Sequence, residues 1–163
     1  MKVNKQGIQL VKSFEGCFFN AYLCPAKVWT IGYGSTKYPN GNAVKQGDKI
    51  TQQEAETLLS DTLDVFSKGV SKLIKVELND NQFSALVSFA FNLGVGSLSK
   101  STLLKKVNAN PNDKTIENEF MRWVSAGGKK LNGLVRRRTA ESKLYFSSIQ
   151  RCEAESGISS LVS

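Results

Sequence analysis

Glu15 is the residue best placed for acid–base chemistry in a chain that contains no histidine. Without an imidazole, a general acid or base has to be a carboxylate, Lys, Tyr or Cys, and Ser-His-Asp and Cys-His catalysis are excluded. Glu15 ends an apolar-periodic segment and is surrounded in sequence by Phe14, Phe18 and Phe19. A helix C-terminus and a desolvating aromatic setting both favour the protonated carboxyl that a general acid needs. An isolated Glu, however, is far more often a solvated surface residue.

Two further candidates come after Glu15 along the chain. Cys24 comes nine residues later, and Thr30 comes six residues after Cys24. Thr30 leads directly into the run Ile31-Gly32-Tyr33-Gly34-Ser35-Thr36. Considered singly, a free Cys is usually a small buried hydrophobe, and a Thr in such a segment is usually an ordinary strand residue.

This pattern resembles the catalytic signature of the phage lysozymes, the endolysins of glycoside hydrolase family 24. In that family Glu is followed by Asp or Cys, then by Thr, and then by Gly-Tyr-Gly-His-Thr. The resemblance covers residues 7 to about 146, and its later blocks occur in the family's order: Phe91-Asn92-Leu93-Gly94, Ser101-Thr102-Leu103-Leu104, Trp123, Gly133-Leu134, Arg136-Arg137-Arg138 and Glu141. The chain departs from the family at Ser35, where His is usual, and at Lys27, where Gly is common.

The resemblance implies catalytic roles for Glu15, Cys24 and Thr30. Glycoside hydrolysis needs a proton donor on the leaving oxygen, for which Glu15 is expected, and a group across the sugar that supplies or positions the attacker. Cys24 and Thr30 are expected to hold and activate a water, and covalent attack by the Cys24 thiolate is the alternative. A thiol with an ordinary pKa near ~8.5 is a poor base at neutral pH, so its pKa must fall or Thr30 must share the task. The family favours inversion.

The resemblance also implies a substrate cleft and two supporting residues. The residues expected to bind substrate are Gly34, Thr36, Phe91 and Asn92. Ser35 is expected beside the acid, and Arg137 is expected to pair with Glu15, which would favour the ionised carboxylate and oppose the helix-end effect. Without the resemblance, three consecutive arginines more often form a solvated helix face or a polyanion patch, and Phe91 is more often a core residue.

Local patterns predict the elements that position these residues. Apolar spacing indicates a short helix that begins near residue 3 and ends near Glu15. Aromatic and β-branched residues broken by Gly and Pro indicate a small antiparallel sheet over 17–50. Thr51 and Glu54 form a capping box that begins a long helix over 52–75.

The second half of the chain is predicted to be helical. Asn79 or Asp80 begins a helix that Gly94 ends, and this helix is apolar on almost all sides, so we expect it at the centre of a helical lobe. Further helices are expected near 99–108, 112–125 and 133–149.

These elements predict an α+β, mostly helical, lysozyme-like fold. A small antiparallel β-lobe (about 15–50) and a helical lobe (about 79–149) are joined by the long helix, with the active-site cleft between them. We expect one domain over 1–149 and a loosely held C-terminal tail over 150–163.

The composition indicates a basic globular chain. The 163 residues carry 22 Lys and Arg against 14 Asp and Glu, a net charge of +8, which suits an anionic partner. No apolar run approaches 18 residues and the N-terminus is polar, so we expect no membrane insertion and residence in the host cytoplasm until release. The three cysteines cannot all pair, although Cys17 and Cys24 are close enough in sequence to suggest a regulatory disulfide.

The function that the resemblance implies is that of an endolysin muramidase. It would hydrolyse the β-1,4 bond between N-acetylmuramic acid and N-acetylglucosamine in bacterial peptidoglycan, as a monomer, without cofactor or metal. It would act on the periplasmic side after a separate holin-type partner permeabilises the membrane. Two alternatives stay open: a basic nucleic-acid-binding module, against which the Lys and Arg are spread along the chain, and a wall-binding homologue with reduced activity, which Ser35 suggests.

Overall fold

The computed structural model of the chain describes residues 2–147. Its elements, in chain order, are α1 (Lys5–Glu15), β1 (Phe18–Leu23), β2 (Trp29–Gly32), α2 (Gln52–Leu73), α3 (Asp80–Leu93), α4 (Val95–Lys100), α5 (Thr102–Ala109), α6 (Ile116–Phe120), β3 (Ser125–Ala126), β4 (Lys129–Lys130) and α7 (Asn132–Phe146). The predicted α+β, mostly helical, lysozyme-like architecture is confirmed, because a small antiparallel hairpin precedes the long α2 and most of the later elements are helices.

The first helix is held tightly against α3, which directs its last residue, Glu15, toward the centre of the molecule. The Asn4 side chain caps α1 by accepting from the Gly7 backbone N–H at 3.0 Å. The Asn4 backbone N–H donates to the Ser84 hydroxyl at 3.0 Å. A Cβ on Gly7 would lie 2.6 Å from the Cβ of Ser84, so only glycine permits this approach of the two helices.

The predicted sheet is smaller than its sequence segment. β1 and β2 pair antiparallel, with Tyr22 opposite Thr30. The pairing register shifts between Phe18 and Tyr22, where β1 is irregular. Within 2–147, the remainder of the 17–50 segment contributes isolated bridges and turns rather than further strands. Its many Gly and Pro residues favour turns, which explains the short strands.

A tight turn joins β1 to β2. The Lys27 amide donates to the Cys24 carbonyl at 2.7 Å, and the Cys24 amide donates to the Val28 carbonyl at 3.1 Å. Pro25 supplies the fixed φ favoured at the second turn position, and the fourth position must enter the left-handed region. Lys27 has φ +62°, alone among the non-glycine residues of 2–147, so a side chain occupies a position suited to glycine.

Replacing Lys27 with glycine is therefore expected to stabilise the protein. A non-glycine residue in the left-handed region costs roughly 1–2 kcal/mol, part of which is offset by the greater backbone entropy that glycine loses on folding. We expect Lys27→Gly to raise the free energy of unfolding by about 1 kcal/mol in urea titrations. Lys45→Gly, in a turn without positive φ, is the matched control, and an equal gain there would contradict this explanation.

Capping boxes begin the two central helices. The Thr51 hydroxyl accepts from the Glu54 amide and the Glu54 carboxylate accepts from the Thr51 amide, so α2 begins at its predicted position. Asn79, rather than Asp80, caps α3 in the same way with Gln82. α3 is buried along most of its length and packs against α1, α2, α4 and α7, as its apolar sequence predicted.

The later helices differ from their predicted bounds. The helix expected near 99–108 is split into α4 and α5, because Ser101 leaves helical geometry and caps α5 by accepting from the Leu104 amide at 3.0 Å. The helix expected near 112–125 is reduced to the single turn of α6, and the β3–β4 hairpin comes after it. α7 ends at Phe146, and the predicted tail over 150–163 lies outside the described residues.

Candidate active site

A cleft of about 360 Å³ lies where the hairpin side of the molecule meets α2 and α3. Its lining residues are Glu15, Gly34, Ser35, Thr36, Lys37, Thr62, Phe66, Phe91 and Asn92. Six of these are residues that the sequence predicted for a catalytic site, and they come from three separate stretches of the chain. α1 supplies the carboxylate, the loop after β2 supplies the next three, and the end of α3 supplies the aromatic ring and the amide.

Glu15 is partly shielded from solvent at the wall of this cleft. Its side chain is 21% exposed and reaches the cleft from the last residue of α1. Gly34 faces it: φ there is +92°, and a Cβ would lie 3.4 Å from the Glu15 Oε1. The Gly-Tyr-Gly run therefore brings backbone, rather than a side chain, close to the carboxylate, while Ser35 is buried beside it through mutual backbone hydrogen bonds with Ile31.

Arg137 contacts Glu15 directly. The Arg137 Nη1 donates to the Glu15 Oε2 at 2.6 Å, across 122 residues of sequence. Arg137 is 3% exposed, and its guanidinium also lies over the Phe14 ring at 5.7 Å. A charge-assisted contact of this kind is shorter and stronger than a hydrogen bond between neutral groups. The solvated helix face considered for the arginine run is wrong for Arg137 and Arg138, which are both buried, and Arg136 is the exposed member.

The remaining groups around Arg137 form a buried charged network. Glu141, which is 0% exposed, accepts from Arg137 Nε at 3.3 Å through one oxygen and from Arg138 Nη1 through the other. The Ser88 hydroxyl donates to the Glu141 Oε2 at 2.6 Å. Arg138 also donates to the Asn92 side-chain oxygen and, at 3.1 Å, to the Trp123 carbonyl.

Cys24 and Thr30 lie on the hairpin and do not line the cleft that contains Glu15. Partial burial raises the pKa of the Tyr22 hydroxyl, and the charges of Cys24 and Glu15 add to the rise. The structure therefore brings Glu15 together with the predicted binding residues, and it places the second pair of predicted catalytic residues on the neighbouring hairpin.

Hydrogen bonding at the hairpin turn favours the thiolate form of Cys24. Backbone hydrogen bonding from Val28 lowers the pKa of Cys24, partial burial opposes this effect, and the Thr30 hydroxyl adds to the lowering. Thr30 is buried, and its hydroxyl donates to the Val28 carbonyl at 2.9 Å. A lower pKa increases the fraction of Cys24 that is thiolate at neutral pH, and the thiolate is the form that can act as a base or nucleophile.

Cys17 and Cys24 are free and lie at opposite ends of β1. A strand rises about 3.3 Å per residue, so seven extended steps separate the two Cα atoms by up to about 23 Å. A disulfide requires roughly 4.4–6.8 Å between them. The regulatory bond suggested by the sequence spacing therefore cannot form while β1 is paired with β2.

Sequence reasoning missed several residues of this region. Phe66 and Thr62, on α2, line the cleft, and the Phe66 ring packs against Phe91 at 5.3 Å between centroids. Arg138 and Glu141 belong to the family pattern, but the sequence assigned them no role in the site. The spacing of Glu141 at three and four residues after two arginines indicates contact on one helix face, and this was the available signal.

Comparisons with known proteins agree with this geometry. The sequence profile of the phage lysozyme family matches residues 12–141. The chain belongs to the phage lysozyme family. This is a family of glycoside hydrolases, and the matched range contains every residue that lines the cleft.

Individual relatives span most of the chain. The endolysin of Bacillus phage B103 is 45% identical over 148 residues, which are 90% of this chain and 54% of that protein, so the chain spans about half the length of this relative. The structure of an endolysin from Escherichia coli O157:H7 phage FAHEc1 superposes with a TM-score of 0.82 at 37% identity, covering 91% of this chain and 96% of that one. The muramidase domain of SpmX from Asticaccaulis excentricus superposes with a TM-score of 0.80 at 34% identity, covering 90% and 99%.

Proposed function

We propose that this protein is an endolysin muramidase that hydrolyses the β-1,4 bond between N-acetylmuramic acid and N-acetylglucosamine in bacterial peptidoglycan and thereby lyses the host cell. The observation that carries the proposal is the position of Glu15, partly shielded on the wall of an open cleft and held by Arg137. Membership of the phage lysozyme family and the muramidase name of one structural relative support it.

In the proposed reaction, Glu15 donates its proton to the glycosidic oxygen as the bond to the leaving sugar breaks. Cys24, whose pKa is lowered at the hairpin turn, accepts a proton from a water that Thr30 helps to hold, and that water attacks the anomeric carbon. The products are two shorter glycans, one with a new reducing end. Gly34, Thr36, Phe91 and Asn92 bind the sugar chain, and Ser35 supports the wall of the cleft behind the acid.

The charge of the protein suits this substrate. A net charge of +8 favours encounter with anionic bacterial walls through long-range attraction. The protein works as a monomer, without metal or cofactor, and reaches the wall from the host cytoplasm with the help of a separate holin-type partner. None of the helices within 2–147 is both long and apolar enough to cross a membrane.

Product analysis tests the proposal. Purified peptidoglycan digested with the protein should yield fragments with new reducing N-acetylmuramic acid ends, separated by liquid chromatography and identified by mass before and after borohydride reduction. An amidase would release peptides, and a lytic transglycosylase would leave anhydromuramic ends. Either product would overturn the muramidase proposal, as would binding to the wall without any product.

The nucleic-acid alternative is weakened by burial of the arginine run. Two of its three guanidiniums are inside the protein and paired with carboxylates, so they cannot contact phosphates. Measuring affinity for duplex DNA at increasing salt checks this point. We expect weak binding that needs no specific site, whereas tight binding with a steep salt dependence would restore the alternative.

A further inference from the structure

A continuous path of charged and polar groups, buried along its middle, joins two residues that line the cleft. It runs from Glu15 to Arg137, then to Glu141, then to Arg138, and ends at Asn92. Glu141 is the middle of this path, because one of its oxygens accepts from Arg137 and the other from Arg138.

Glu141 neutralises part of the positive charge that the two arginines place near Glu15. With Glu15 ionised, the two guanidiniums and two carboxylates of the path sum to zero, and protonating Glu15 leaves one positive charge. Burial raises the pKa of Glu141, and the two guanidiniums and the Ser88 hydroxyl oppose that rise. Both carboxylate oxygens are occupied by donors, so the charged form matches its surroundings.

The other end of the path orients an amide. Because the Asn92 side-chain oxygen accepts from Arg138, the Asn92 NH₂ group is the part of the side chain left for the cleft. An NH₂ group recognises an acceptor, such as the carbonyl oxygen of an N-acetyl group or a sugar hydroxyl. Arg138 thus determines which hydrogen-bonding group Asn92 offers to a ligand.

A buried ion cluster is a poor way to stabilise a protein. Desolvation of the ions commonly cancels their attraction, and apolar residues of similar size often serve as well. In this network, nevertheless, Arg137 donates to Glu15 and Arg138 donates to Asn92. Both of these end residues line the cleft. This arrangement is what a positioning device for the cleft requires.

We propose that Glu141 is a positioning residue for the glycosidase site, which holds Glu15 through Arg137 and sets the orientation of Asn92 through Arg138. This inference rests on the proposed function. The substrate group that Asn92 recognises is a hydrogen-bond acceptor on an N-acetylated sugar.

The test compares three variants by kcat and KM on soluble peptidoglycan glycan fragments, across pH. Glu141→Gln removes the counter charge, so the arginines oppose protonation of Glu15 more strongly. We expect kcat to fall at least about tenfold and the alkaline limb of the kcat/KM profile to move to lower pH by about one unit. The other groups near Glu15 that affect this profile are Tyr22, Cys24 and Lys37, and all three are unchanged.

Glu141→Asp keeps the charge and shortens the reach, so it cannot hold both arginines. We expect kcat to fall and KM to rise while the alkaline limb stays at the wild-type pH. This variant keeps the proposal falsifiable if Glu141→Gln does not fold, as judged by circular dichroism. Wild-type kcat and KM in folded Glu141→Asp would overturn the positioning role.

Glu119→Gln is the matched control. Glu119 is a buried carboxylate of the same lobe that pairs with Lys106 at 2.9 Å and Arg122 at 3.3 Å, away from the cleft. We expect it to change stability but neither the pH profile nor KM, and the same profile shift in Glu119→Gln would overturn the inference. Failure of the inference is separate from failure of the proposed function, because the second would show in the wild-type digest as released peptides, anhydromuramic ends or no product.

Discussion

Glu15→Gln is expected to abolish wall lysis, with a loss of at least about a thousandfold in rate. The amide has the size of the carboxylic acid but carries no transferable proton, so the leaving oxygen would depart unprotonated. The fold should persist, because Arg137 keeps Glu141 as a partner when its contact to Glu15 loses charge. The measurement is the rate of turbidity loss of chloroform-treated cells, together with a thermal melt.

Glu56→Gln is the control for this substitution. Glu56 is an exposed carboxylate on α2 that pairs with Lys12 at 3.3 Å and does not line the cleft. It should retain nearly full activity, since a surface ion pair contributes little to stability. A folded Glu15→Gln protein that lyses cells as fast as Glu56→Gln would show that Glu15 is not the acid.

Cys24→Ser is expected to reduce the rate by at least about tenfold, and Cys24→Asp is expected to retain activity. Serine nearly matches the size of cysteine, but its hydroxyl does not ionise near neutral pH and cannot replace a thiolate as a base. Aspartate is the family's other residue at this position and is ionised well below neutral pH. Activity of Cys24→Asp should therefore persist to lower pH than that of the wild type, which needs the thiolate.

Cys17→Ser is the matched control for the thiol. Cys17 is also partly buried and free, and its thiol lies 4.0 Å from the Gln52 side-chain oxygen. It should behave as wild type in both rate and pH profile. Full activity in Cys24→Ser would remove Cys24 from the mechanism, and a folded but inactive Cys24→Asp would show that the sulfur has a role that a carboxylate cannot fill.

The features that sequence predicts well are those that depend on near neighbours. The Thr51 and Asn79 caps, the long α2 and the apolar α3 all depend on contacts within one or two turns of helix, and they occur as predicted. A local interaction also explains one error, since Ser101 caps a new helix inside a segment whose apolar spacing suggested a continuous one.

The residue types for catalysis were also available from sequence. The absence of histidine restricted the acid to a few side chains, and the order Glu15, Cys24, Thr30 identified the family pattern. The departure at Lys27 was visible as well, because glycine is common there in the family, and the structure places this residue in the left-handed region.

The arrangement of the site was decided by tertiary structure. That Glu141 joins Arg137 to Arg138, and that Arg138 reaches Asn92, depend on how α7 lies on α3 and α1. Conversely, β1 separates Cys17 from Cys24 although they are only seven residues apart. Sequence patterns report short-range propensity, whereas an ion pair across 122 residues exists only after packing has excluded water and brought the helices together.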